Sequence, residues 1–309
     1  MLRSRLKFNA VLASALCALF GFGGPAQAQD GEPAIWTVKD RDTEITLFGT
    51  VHVLDPALEW MSEDMTEALN AAQTVYFEAP VDGANAPEVQ ALIGELGLNP
   101  PGVTLSSLLS EQGLEDFQIV AGRLGAPTTQ LEGFRPWFAS LLLAVQNIIA
   151  SGGQPDAGAD RLIHAQVGED QTKRYFETAE FQLRLFAGLS GDQEVEAFEA
   201  TLAELKDNPD FLNDIVDLWR TGDAAAVGDL LTESAQEAPG VYDLVFTQRN
   251  QAWAEALADV MEMETGEIFV AVGAGHLAGA DSVQALMCEK GYKVRRVNGP
   301  RRVRGSVCR

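Results

Sequence analysis

Apolar positions change character twice along the chain. "AIWTVKDRDTEITLFGT" reads as two strands around the polar turn Asp40-Arg41-Asp42, the second ending at Gly49. "EDMTEALNAAQ" has helical spacing, and "TVYFEAP" is a short β-branched and aromatic strand closed by Pro80. From Val81 to about Gly240 the pattern is helix after helix, among them "PEVQALIGEL", "PWFASLLLAVQNIIA", "GADRLIHAQVG" and "DFLNDIVDLWRTGD". One strand, "TKRYFET", interrupts them. A long helix near Tyr242 to Glu262 then leads back to strand "EIFVAVG", helix "DSVQALMCEK" and strand "YKVRRV". The pattern predicts an α/β fold: a central mixed sheet formed by the N- and C-terminal segments, with a large helical insert between them.

The first 28 residues are read apart from this fold. Arg3, Arg5 and Lys7 precede the apolar run "AVLASALCALFGF", and "AQA" ending at Ala28 is a small-residue cleavage site. The expectation is a signal peptide over residues 1–28 and an exported, periplasmic or secreted domain over 29–309. No later apolar run is long enough for a membrane helix, so no membrane span is expected after cleavage. Removing the leader's three basic residues from 22 leaves 19 against 45 acidic ones, a balance near −26. Such a charge repels nucleic acid and excludes it as a partner class. Eight basic residues cluster between Lys290 and Arg309, either as a patch for a partner or as a tail bound to the protein's own acidic surface. After cleavage two cysteines remain, Cys288 and Cys308, and in an oxidising compartment they are expected to form one disulfide. The oligomeric state stays open.

Candidate chemistry centres on histidine, of which the chain has three. Two occur in the same setting, as Gly49-Thr50-Val51-His52 and Gly273-Ala274-Gly275-His276, each directly after an apolar strand. Glycine permits a tight turn off a strand, and ligands of open α/β sheets gather beyond the carboxyl ends of the strands. If the two strands are neighbours, His52 and His276 converge. Glu78, following Val75, Tyr76 and Phe77, would reach the same edge. Two imidazoles and a carboxylate make a familiar shell for a divalent metal, and Glu78 could instead act as base toward water. The plainer reading makes both motifs strand-end turns with hydrogen-bonded histidines. His164, without the glycine, reads as an ordinary helix residue.

Arg249 falls on the apolar stripe Tyr242, Phe246, Arg249, Trp253, Leu257 and Val260, and a buried guanidinium there needs a carboxylate or a ligand. It would either stabilise charge on an attacked carbonyl or form a structural ion pair. Asp160 opens a helix as an N-cap, and Glu177 ends a strand; both are candidates to support the site from behind. Neither G-x-S-x-G nor H-E-x-x-H occurs, which argues against serine-hydrolase and zincin chemistry.

"FGTVH", "VAVGAGHLAG" and "GYKVRRV" together resemble the TraB/GumN family, which includes the animal Tiki proteins. Intermediate stretches agree: "GAD" from Gly158, "FETAEFQ" from Phe176, "WRTGD" from Trp219 and "RNQAW" from Arg249. The resemblance implies a metal site built from both G-x-x-H motifs and a glutamate, supported by manganese or cobalt in animal members, which are described as proteases. Bacterial relatives are linked to peptide pheromone shutdown or named after a polysaccharide cluster. Carried over, Gly49, His52, Gly273, His276, Glu78 and Arg249 match the family's motif positions, and Gly275 is the further glycine inside the second motif. The expected function is an exported metal-dependent hydrolase, a peptidase by resemblance, using manganese, cobalt or zinc on a peptide or protein substrate. The alternative is a non-catalytic exported protein that binds a peptide, haem or a polysaccharide precursor.

Overall fold

Strand β1 (Ile35–Lys39) and strand β2 (Thr43–Thr50) pair antiparallel around the expected polar turn. Asp40 closes that turn by accepting the Thr43 N–H at 2.9 Å and the Asp42 N–H at 3.1 Å. The computed structural model describes residues 31–81, 87–237, 239–299 and 304–308, so the leader expected over residues 1–28 lies outside the described residues. No described helix is long and apolar enough to cross a membrane.

The remaining strands are β3 (Thr74–Phe77), β4 (Thr172–Tyr175), β5 (Gly266–Gly273), β6 (Lys293–Arg296) and β7 (Gly305–Ser306). They form one sheet in the order β4-β3-β5-β2-β1-β6-β7. Strands β4, β3, β5 and β2 run parallel, while β1, β6 and β7 join antiparallel. The crossover through helix Glu63–Ala71 carries the chain from β2 to β3 and leaves a slot between them. Strand β5 fills that slot from the other end of the sequence. The mixed sheet therefore joins N- and C-terminal segments, with a helical insert between β3 and β5, as the apolar pattern predicts.

Period-two alternation distributes the core over both faces. Phe48, Val75, Phe77, Phe269 and Ala271 face helices that include Glu63–Ala71, Glu111–Arg123 and Pro136–Ala150. Ile45, Leu47, Val270 and Val272 face helices Gln248–Met263 and Val283–Glu289, through Trp253, Leu257 and Met287. Strand β5 is covered on both faces, which is why "IFVAV" reads as a continuous apolar run. A third cluster, including Trp137, Phe186 and Phe246, lies among the helices of the insert and its flank.

Two details depart from the sequence reading. The expected long helix is interrupted: a π-helical turn, Asp243–Thr247, precedes the α-helix Gln248–Met263. Such widened turns are frequent at functional sites, and the Val245 carbonyl here accepts from the Arg249 side chain at 3.1 Å. Within "TKRYFET" only Thr172–Tyr175 form the strand, and those four residues are exposed because β4 is the sheet's edge. Cys288 and Cys308 form the expected disulfide, with Cα atoms 5.3 Å apart, tying β7 to helix Val283–Glu289. Lys290 pairs with Glu255 at 2.5 Å, and Arg296 stacks over Trp36 at 5.6 Å, so this much of the basic tail lies on the protein's own body.

Candidate functional site

Strands β2 and β5 are parallel neighbours, with Thr50 opposite Gly273 and Gly49 opposite Val272. Both G-x-x-H motifs therefore leave the sheet side by side at its carboxyl edge, although their histidines are 224 residues apart in sequence. Glycine at 49 suits this close approach, since a Cβ there would lie 3.0 Å from the Ala274 backbone. Strand β3, on the other side of β5, ends with Phe77 opposite Ala271 and delivers Glu78 to the same edge. Trp219 reaches in from helix Phe211–Arg220 and donates its Nε1 hydrogen to the Gly49 carbonyl at 2.7 Å.

Glu78, Glu177, Arg249 and His276 form one buried network. Arg249 donates Nε to Glu177 Oε1 at 2.8 Å and Nη2 to Glu177 Oε2 and Glu78 Oε2, both at 2.9 Å. Its Nη1 donates to the Val245 carbonyl at 3.1 Å and to His276 Nε2 at 3.0 Å. Its five N–H bonds are thus all engaged, and the Trp253 ring lies 4.8 Å below it. Because Arg249 can only donate, His276 Nε2 must accept, which places the ring's hydrogen on Nδ1 and directs it to Asn250 Oδ1 at 2.5 Å. Asn250 is itself held by the Asp281 carbonyl at 2.9 Å. Burial, reinforced by the Arg249 charge, pushes the His276 pKa down to about 3, so the ring is neutral.

The two carboxylates are perturbed in opposite directions. Burial alone would raise Glu78, but Arg249, the histidines and the Gly273 N–H, 2.5 Å from Oε1, hold it at about 2. Glu177 is raised, chiefly by burial and also by the neighbouring Glu78 charge, despite its bidentate contact with Arg249. Gln182 Nε2 touches both carboxylates, at 3.1 Å from Glu177 and 3.4 Å from Glu78. Trp253 Nε1 adds a donor to Glu177 at 3.0 Å.

His52 stands apart from this network. Its Nδ1 lies 2.8 Å from Asp160 Oδ2, and its side chain is 20% exposed. Burial would lower its pKa, yet Asp160 first and Glu78 second outweigh that and raise it above 6.5. The "GAD" stretch explains the contact. Gly158 has no room for a Cβ, which would lie 2.2 Å from the His52 carbonyl. The Ala159 N–H then binds the Val51 carbonyl at 2.7 Å, and Asp160 follows at the ring. Asp160 was expected to cap its helix; Gly158 holds that position instead, and the helix has no side-chain cap. Asp160 Oδ1 is buried with no hydrogen-bond partner among the described residues.

His52, Glu78, Asp160 and Gln182 line a chamber of about 100 Å³ at the sheet edge. Sequence reasoning singled out six residues: His52, Glu78 and Asp160 line this chamber, and Glu177, Arg249 and His276 join Glu78 in the buried network. It did not single out Gln182 or Asn250, though "FETAEFQ" and "RNQAW" contain them. His164 hydrogen-bonds Tyr175 at 2.9 Å and packs its ring edge on Phe77, away from the network.

The donor types suit a divalent metal, since each imidazole has its Nδ1 held by an acceptor, the usual support for a metal-binding histidine. The arrangement does not. Arg249 contacts both His276 Nε2 and Glu78, two of the three expected ligands, and no three His, Cys, Asp or Glu residues among those described group as a metal shell.

Residues 34–296 match the family model described as the TraB/PrgY/gumN family. No curated protein and no solved structure matches the chain.

Proposed function

The chain belongs to the TraB/PrgY/gumN family, and we propose that it is an exported hydrolase in which His52 and Asp160 activate water against a peptide or related acyl bond. The observation that carries this reading is the Asp160–His52 pair at 2.8 Å on the wall of the sheet-edge chamber. Asp160 fixes the ring orientation and favours its protonated form, as an orienting carboxylate does for a catalytic imidazole. With Nδ1 committed to Asp160, proton exchange in this reading takes place at Nε2. His52 removes a proton from water there, water adds to the substrate carbonyl carbon, and His52 returns the proton to the leaving group. A raised histidine pKa suits that exchange near neutral pH.

Glu78 is a poor base at about 2. Its role in this reading is to anchor Arg249 and the Gly273 turn. Arg249 has no N–H to offer an oxyanion and acts by holding Glu78, Glu177 and His276 in place. The disulfide and the leader-like first 28 residues support export.

A second reading keeps the metal that the family resemblance implies, on His52, His276 and Glu78. The Nδ1 contacts of the two imidazoles favour it, but it requires Arg249 to leave His276. Turnover of a quenched peptide library by the purified protein, His52→Ala and Asp160→Asn separates the readings. Activity that survives chelation and falls in both variants supports the first. Activity abolished by chelator and restored by manganese, cobalt or zinc supports the second. Stoichiometric ligand binding with no product would replace both with the binding-protein alternative.

A further inference from the structure

The sheet-edge chamber adjoins a larger cavity of about 410 Å³, a size typical of small-molecule sites. The two share His52, Asp160 and Gln182 in their walls. Beyond those residues the larger cavity is walled by Val53, the segment 79–81 and, for the most part, the helical insert. Helix Pro87–Leu96 contributes Val89 and Ile93, helix Pro136–Ala150 contributes Leu141 and Val145, and helix Ala179–Ala187 contributes Leu183 and Phe186. Trp137 also lines it, but its Nε1 hydrogen already goes to the Leu96 carbonyl at 3.1 Å, leaving no indole donor for a ligand.

Charge and hydrogen-bonding capacity are therefore uneven. Three of the cavity's four polar side chains are shared with the chamber, and the fourth, Arg161, follows Asp160 directly. A peptide threaded into this space would bring an amide N–H and a carbonyl with every residue, and apolar side chains cannot satisfy them. An unbranched hydrocarbon makes no such demand.

We propose that this cavity holds the acyl chain of an acyl ester or acyl amide, with the carbonyl carbon presented to His52. The proposal rests on the hydrolase reading for where the carbonyl sits. In the reaction, water adds to the acyl carbonyl carbon and the C–O or C–N bond to the leaving group breaks. His52 carries the proton from water to the departing alkoxide or amine. The products are a fatty acid and an alcohol or amine, with no change of oxidation state.

The test uses p-nitrophenyl esters from acetate to palmitate, with KM and kcat read separately, and calorimetric binding of the matching fatty acids. For the wild type, affinity should rise about three- to fourfold per added methylene until the cavity is filled, then level off. Leu141→Trp should bring that plateau to shorter chains. Val145→Phe tests the same point if Leu141→Trp does not fold. His52→Ala should lose turnover and keep chain-length-dependent binding. Fatty-acid binding that depends on chain length and on Leu141, without hydrolysis of any ester, supports the acyl cavity and removes the hydrolase reading. Hydrolysis with KM indifferent to chain length in both wild type and Leu141→Trp overturns the acyl cavity and leaves the hydrolase reading standing.

Discussion

Replacing Arg249 by methionine isolates the charge that organises the site. The side chain is 3% exposed, and the carboxylates of Glu78 and Glu177 are each 6% exposed. Methionine fills much of the space but leaves two buried carboxylates sharing the Gly273 N–H, Gln182 and Trp253 as their remaining named donors. Removing one partner of a buried ion pair costs about 3–5 kcal/mol. For a domain of this size that corresponds to a melting temperature lower by roughly 10 °C. The loss should depend on pH. Without the cation, burial and mutual repulsion lift at least one carboxyl above its ordinary 4.5. A carboxyl with a raised folded pKa binds its proton more tightly when folded, so stability falls as pH rises through that value. Urea unfolding at pH 5 and pH 8 should therefore show the larger penalty at pH 8. Arg249→Lys should recover only part of the loss, because one ammonium cannot replace the bidentate contact with Glu177. A penalty below about 1 kcal/mol, or one equal at both pH values, would refute the claim that Arg249 neutralises this pair.

Other outcomes follow from the His52 side of the site and from the tail. Since Asp160 raises the His52 pKa above 6.5, kcat/KM should fall as pH drops through a value above 6.5. Asp160→Asn should move that acidic limb downward and slow turnover by about 10²-fold, read from pH–rate profiles. Gly158→Ala would press a Cβ against the His52 carbonyl, so it should lower the unfolding midpoint and reduce activity together, whereas a merely conformational role for glycine would leave activity unchanged. Reducing the Cys288–Cys308 bond, which closes a 20-residue separation, should cost about 3 kcal/mol in denaturant titrations without altering the active residues.

Much of the fold was legible because both ends of the chain carry strand patterns and the middle does not. The equivalence of the two G-x-x-H motifs pointed to neighbouring strands, and the register of β2 on β5 places them together. What single residues do there was harder to read. Asp160 has the sequence context of an N-cap, and only the approach of Gly158 to the His52 backbone reveals that its carboxylate serves the ring instead. Arg249 was readable as a buried charge needing a partner, but not as one with every N–H occupied. That follows from four elements converging, the end of β3, the approach to helix Ala179–Ala187, the π-helical turn and the turn after β5, whose spacing no local pattern encodes. Gln182 and Asn250 have no special local signature at all. The apolar cavity is legible only in space, since its walls come from several helices and two strand-end loops far apart in sequence.

The most direct test of the central claim is the kcat/KM of wild type and His52→Ala on one substrate found by the peptide and ester screens, with unfolding midpoints measured in parallel. The account predicts a loss of at least about 10²-fold with the midpoint retained. Equal turnover by a folded His52→Ala protein would contradict it.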